Sequence, residues 1–254
     1  MKHLLKFVFL FSISLALFSC ASPKKMIYYQ NIDELDRNAP AESFEPMLQP
    51  DDLIKIVVLA ENPEAAAPFN VFATGDKELS KNGQPDDTYL IDVNGKIRFP
   101  IVGELHLAGL TKTEAKDLIT TSLAKYLSNH SVNLTIMNFK VTVQGEVVKP
   151  GIINLLSERL TLVEALSMAG DLTIYGKRQN ILLIRESNGK KTFARVDITK
   201  ADFINSPYYY LAQNDIVYVE PNRTKVDSSV IGPNTAVVFS VITLLMTIIA
   251  LTIK

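Results

Sequence analysis

"VQGEVVKPGIINLLSERLTLVEALSMAG", residues 143–170, decides how the second half of the chain folds. It completes a run that begins at Lys140, in which Val141 and Val143 alternate with Lys140, Thr142 and Gln144, the pattern of a half-buried strand. Pro150-Gly151 breaks that strand, since proline has no N–H to donate to a ladder. Thr161 and Glu164 then form a T-x-x-E capping box ahead of an apolar run, and Gly170 is placed to end the helix. Downstream, "NILLIRESNGKKTFARVDI" (180–198) reads as a hairpin turning near Asn188-Gly189, and "LAQNDIVYVEP" (211–221) as a closing strand. One α+β unit therefore occupies residues 140–221.

Upstream the pattern repeats in kind. "LQPDDLIKIVV" (48–58) is a turn feeding a strand over Leu53 to Leu59. Residues 60–87, rich in Pro, Gly, Asn and Asp, read as a long loop. In "YLIDVNGKIRFP" (89–100), Asn94-Gly95 predicts a two-residue hairpin turn, because both residues tolerate positive φ. "LTKTEAKDLITTSLAKYL" (110–127) opens with a second capping box, Thr111 and Glu114, and its spacing predicts an inward face of Ala115, Leu118, Ile119, Ser122 and Tyr126. "VNLTIMNF" (132–139) is a further strand. The two units share a faint echo: Leu48, Asp52 and Ile54 match Leu211, Asp215 and Val217 in spacing.

Both ends are apolar. Residues 1–19 have a basic start, Lys2 and Lys6, then a short apolar stretch, the layout of a secretory signal peptide. It ends in "LFSC", and Cys20 is the single cysteine, so no disulfide forms within the chain. This junction resembles the lipobox of bacterial lipoproteins, where the cysteine is acylated and becomes the first mature residue. An ordinary signal peptide with an incidental cysteine is the competing reading. At the other end, residues 235–253 carry no charge. A helix of that length spans roughly 28 Å, close to a bilayer's apolar thickness of ~30 Å. Asn234 is placed as its N-cap. Ser240, Thr243, Thr247, Ala250 and Lys254 fall on one stripe of it. Such a stripe suits helix–helix contact or a wet lumen; alternatively, the hydroxyls bond back to their own helix.

The composition excludes several classes. Twenty-six basic residues against 27 acidic ones give a net charge of -1, with no basic excess to hold a nucleic acid. His106 and His130, the two histidines beyond the leader, have no metal-type partner at helical spacing. They read as surface residues, His106 on a short strand and His130 in a polar turn. No phosphate-cradling glycine loop and no nucleophile motif occurs. Asp51-Asp52 and Asp86-Asp87 read as turn formers rather than cation ligands. No catalytic residue, metal or cofactor is expected.

"LQPDDLIKIVV", "YLIDVNGKIRFPIVGELHLAGLTKTEAKDLI" and "VQGEVVKPGIINLLSERLTLVEALSMAG" together resemble the bacterial outer-membrane polysaccharide export family. That resemblance implies a lipoprotein signal peptide over 1–19, a lipidated N-terminus and linker over 20–45, an export domain over 46–139, and one soluble-ligand-binding β-grasp (SLBB) domain over 140–221. A linker over 222–234 and a transmembrane helix over 235–253 complete the expected order. It further implies a non-enzymatic outer-membrane channel for capsular or extracellular polysaccharide in a diderm bacterium. The channel would be a homo-oligomeric ring, lipid-anchored at Cys20, with Ser240, Thr243 and Thr247 as pore-lining candidates. Its soluble domains would lie in the periplasm, facing an inner-membrane polysaccharide co-polymerase (Wzc-like). The alternative is a membrane-anchored sugar-binding or adaptor lipoprotein without its own pore. Two departures stand out: one β-grasp copy where larger members carry two, and Asp171 in "AGD" where "AGG" is common.

Overall fold

The computed structural model describes residues 23–36, 44–70, 88–155, 157, 159–187, 189–230 and 234–252. Their elements, in chain order, are β1 (Leu53–Ala60), α1 (Pro63–Ala66), β2 (Tyr89–Leu90), β3 (Lys96–Phe99), β4 (Gly103–His106), α2 (Lys112–Leu123) and β5 (His130–Ile136). Then follow β6 (Lys140–Gly145), β7 (Gly151–Asn154), α3 (Leu162–Met168), β8 (Gly176–Ser187), β9 (Lys190–Val196), β10 (Ile216–Pro221), α4 (Arg223–Val230) and α5 (Asn234–Thr252).

In the first unit, Ile54, Ile56 and Val58 of β1 are buried at every second position, so one face of that strand must be covered. β1 lies between β2 and β5 in an antiparallel sheet, with Ile54 opposite Ile136 and Ala60 opposite His130. α2 packs beside β5 and buries Ala115, Ile119 and Leu123. In the second unit the strand order is β7-β6-β10-β8-β9, and β6 runs parallel to β10. Val141, Val143, Ile181, Leu183, Val217 and Val219 form its inner face, against which α3 sets Leu162, Ala165 and Leu166. Gly145 is obligatory in this sheet. Its φ is +95°, and a Cβ there would lie 2.1 Å from the Val219 carbonyl oxygen.

Both capping boxes form as read. Thr111 and Thr161 accept from the N–H of Glu114 and Glu164, whose carboxylates return to the threonine N–H groups at 2.8 and 2.7 Å. Gly170 follows α3 with φ +77°, and Gly189 turns β8 into β9 with φ +69°; Asn188 lies outside the described residues.

Several expectations change. The expected loop after β1 contains α1, because the Asn62 side chain caps Glu64 N–H and Pro63 presets the first helical φ. Residues 71–87, including Asp86 and Asp87, lie outside the described residues. The turn of the expected 89–100 hairpin is not a two-residue one. Asp92 accepts from Gly95 N–H, its side chain accepts from Asn94 and Lys96 N–H, and only Gly95 has positive φ. The loop is therefore three residues long. Its arms part at once: β2 pairs with β1, and β3 pairs with β4. On α2 the buried stripe is rotated: Leu118 and Tyr126 are exposed and Leu123 is buried in their place. β7 was not foreseen, since its Ile152 and Ile153 follow Pro150-Gly151 without alternation. Residues 223–230 of the expected linker form the helix α4.

The 235–253 segment is helical as α5, apart from Ile253, which lies outside the described residues with Lys254. Among the described residues no helix is long and apolar enough to cross a membrane. The expected transmembrane assignment is thus not established by the fold. Several α5 side chains, Met246 and Leu251 among them, fall outside that description.

Candidate functional site

The echo between the two units is a structural repeat. Leu48 and Leu211 are buried, Asp51 and Asn214 both take positive φ, and Asp52 and Asp215 are 0% exposed. Each aspartate accepts the N–H three residues before it, from Gln49 and from Ala212, at 2.8 Å. Each turn then launches a strand, β1 or β10. The pairs differ in charge balance. Arg185 neutralises Asp215 with its Nη2 2.7 Å from Oδ2. Among the described residues Asp52 has no such partner, and its buried Oδ1 accepts no hydrogen bond. Burial pushes the Asp52 carboxyl up to about 6, against the opposing Gln49 N–H and Gln213 side chain. Burial also raises Asp215, which Arg185 counters.

These turns meet at the domain junction. Asn138 accepts from Leu53 N–H and donates to the Asp51 carbonyl, each at 2.9 Å. Gln213 donates to the Asn138 carbonyl at 2.9 Å and accepts from Lys140 N–H at 2.8 Å. Beside the junction opens a cleft of about 720 Å³, whose lining includes Asp51, Asn94 and His106 from the first unit and Ile184, Glu186 and Lys191 from the second.

The N-terminal arm is docked on the second unit rather than trailing as a linker. Tyr29 and Gln30 donate N–H groups to the Ile198 and Thr199 carbonyls. Tyr28 donates its hydroxyl to Asp171 at 2.7 Å, and the Arg178 guanidinium faces its ring at 5.5 Å. Asp171, the departure at "AGD", is therefore an anchor for the arm. Its φ of +66° and its bond to Leu172 N–H hold it in place. Sequence reasoning took it for a mere turn residue, since the signal that identifies it lies 143 residues away.

Of the named site residues, Cys20 lies outside the described residues. Ser240, Thr243 and Thr247 are all exposed on α5. Thr243 donates its hydroxyl to the Phe239 carbonyl and Thr247 to that of Thr243, both at 2.8 Å. Around them Val237, Val238, Phe239, Val241, Ile242, Leu244, Leu245 and Ile248 are between 49% and 69% exposed. His106 is on β4, and both its strand position and its exposure match expectation. His130 differs. It opens β5, half-buried, with its ring nitrogens 3.0 Å from the Leu127 and Thr120 carbonyls, so it ties the end of α2 to the sheet. No group of metal-binding side chains occurs among the described residues.

Residues 40–137 match the family model "Polysaccharide biosynthesis/export protein", and residues 140–192 match the SLBB domain. The matched ranges meet within three residues of the Asn138 junction. The chain is 29% identical over 194 residues to an EPS I polysaccharide export outer membrane protein of Ralstonia solanacearum, covering 72% of this chain and 51% of that protein. Its counterpart in Ralstonia nicotianae is 30% identical over the same length, covering 72% and 50%. The chain thus spans about half the length of the curated relatives it matches. The chain carries a polysaccharide biosynthesis/export domain over residues 40–137 and an SLBB domain over residues 140–192, joined where Asn138 and Gln213 hydrogen-bond.

Proposed function

We propose that this protein is a subunit of an outer-membrane channel that exports capsular or extracellular polysaccharide. The observation that carries the reading is α5. Among its described residues, Val237, Val238, Phe239, Val241, Ile242, Leu244, Leu245 and Ile248 leave large apolar side chains exposed beside the Ser240, Thr243 and Thr247 stripe. A surface of that kind requires lipid or further copies of the helix around it. One helix encloses no lumen, whereas a ring of them does. The relatives' names place them in polysaccharide export at the outer membrane, which supports the same membrane and cargo here. In this reading Cys20 carries the lipid in the inner leaflet, the two domains stack in the periplasm, and an inner-membrane co-polymerase supplies the chain. The matching family model is that of a polysaccharide biosynthesis/export protein, and in this reading the channel is passive. Ser240, Thr243 and Thr247 line the lumen.

The triple substitution Ser240→Leu, Thr243→Leu and Thr247→Leu tests the lining. It should abolish surface polysaccharide while leaving expression and particle size intact. Normal export by that variant would remove these residues from the lumen and favour the adaptor lipoprotein, in which the tail only tethers.

A further inference from the structure

A second recess, of about 840 Å³, lies on the SLBB unit between α3 and the tyrosine run 208–210. Its walls come from three parts of the chain: Tyr29 of the docked arm, Arg159 and Glu164 around the start of α3, and Tyr209. The aromatic geometry is ordered. Tyr29 stacks on Phe203 at 5.7 Å between ring centroids and 24° between planes, and Tyr209 packs on the same Phe203 at 5.8 Å. Phe203 is buried, so both tyrosines are held from behind while remaining half-exposed at the groove.

The polar groups of the groove are largely unpaired. Among the described residues the Tyr29, Tyr209 and Ser167 hydroxyls have no hydrogen-bond partner. The Glu164 carboxylate serves the capping box through Oε2 alone. Among the described residues Arg159 meets no carboxylate; its guanidinium lies 4.9 Å from the Tyr210 ring centroid and donates to that hydroxyl. Half-exposed rings beside free donors and acceptors match the two faces of a pyranose: apolar C–H groups and equatorial hydroxyls.

We propose that this groove binds a stretch of pyranose saccharide, with Tyr29 and Tyr209 against the sugar C–H faces and Arg159, Glu164 and Ser167 on its hydroxyls. This rests on the export reading above, because it takes the cargo as its ligand. It also gives the N-terminal arm a role, since Tyr29 completes the wall only when the arm is docked through Tyr28 and Asp171.

The test uses the full chain in detergent and oligosaccharides cut from the producing cell's own surface polysaccharide, titrated by calorimetry. The wild type should bind. Arg159→Ala and Tyr209→Ala should each weaken binding about tenfold or more, the worth of a charge-assisted hydrogen bond or an aromatic contact. Tyr209→Phe keeps the packing on Phe203 and the ring face and removes only the hydroxyl, so it guards against misfolding and should bind close to wild type. Absence of binding by the wild type, or equal binding by Tyr209→Phe and Arg159→Ala, overturns the proposal. So does a change in particle size with Tyr209→Ala, which would mark the groove as a contact between copies. Particle size and export in cells are read separately. Rings that export but do not bind refute the groove alone, while a solitary particle refutes the channel.

Discussion

At Asp52 a carboxylate fastens its turn through one oxygen and leaves the other buried and unpaired. Its folded-state pKa of about 6 stands above the ordinary 3.8. The ionised form therefore works against the fold: the penalty is absent below about pH 4, grows through pH 4 to 6, and is complete above, on the order of 3 kcal/mol. Asp52→Asn should flatten this part of the stability–pH curve and raise the thermal midpoint at pH 7.5, both read by circular dichroism. A wild-type curve that rises from pH 4 to 6 relative to the variant would contradict the assignment. Burial raises the sister residue Asp215 in the same direction, but Arg185 pairs with it. Arg185→Met strands the Asp215 charge and should cost about 3–5 kcal/mol at neutral pH, less in acid where the carboxylate can protonate. The matched spacing of the two aspartates was visible in the sequence. The arginine partner that only Asp215 has was not, because Arg185 is 30 residues from Asp215 and reaches it across the β8–β10 pairing.

The elements that local chemistry dictates were the ones sequence reasoning located. Thr111/Glu114 and Thr161/Glu164 start both helices where the capping boxes stand, and alternation sets β1, β6 and β10. Elements settled by tertiary competition were misread. Asn94-Gly95 signals a tight hairpin, but Tyr89 and Leu90 find their partner in β1, so the arms separate. On α2, helical spacing alone does not say where the buried stripe centres, and the packing against β5 chose Leu123 over Tyr126. Two predictions belong here. Thr161→Ala leaves the first turn of α3 uncapped and should lower stability by about 1 kcal/mol in denaturant unfolding. Gly145→Ala drives a Cβ into the Val219 carbonyl and forces the β6–β10 pairing apart. It should destabilise by several-fold more than the capping change, on the order of 3 kcal/mol or above.

For the whole molecule, two globular units tied by Asn138 and Gln213 end in a helix whose described apolar side chains are exposed. The tail's helicity and its absence of charge were legible from residues 235–253, since both depend on composition alone. What surrounds it in the proposed channel would be set by other copies and by lipid, which no single chain encodes locally. The same holds for the docked arm. Residues 23–36 read as linker because their anchors, Asp171, Ile198 and Thr199, are far along the chain. The most direct measurement is single-particle imaging of the full-length protein extracted from its native envelope in detergent. The account predicts closed rings with a central opening that continues through the bundle of tails, and loss of those rings when residues 234–254 are removed. Solitary particles from the full-length chain would contradict it.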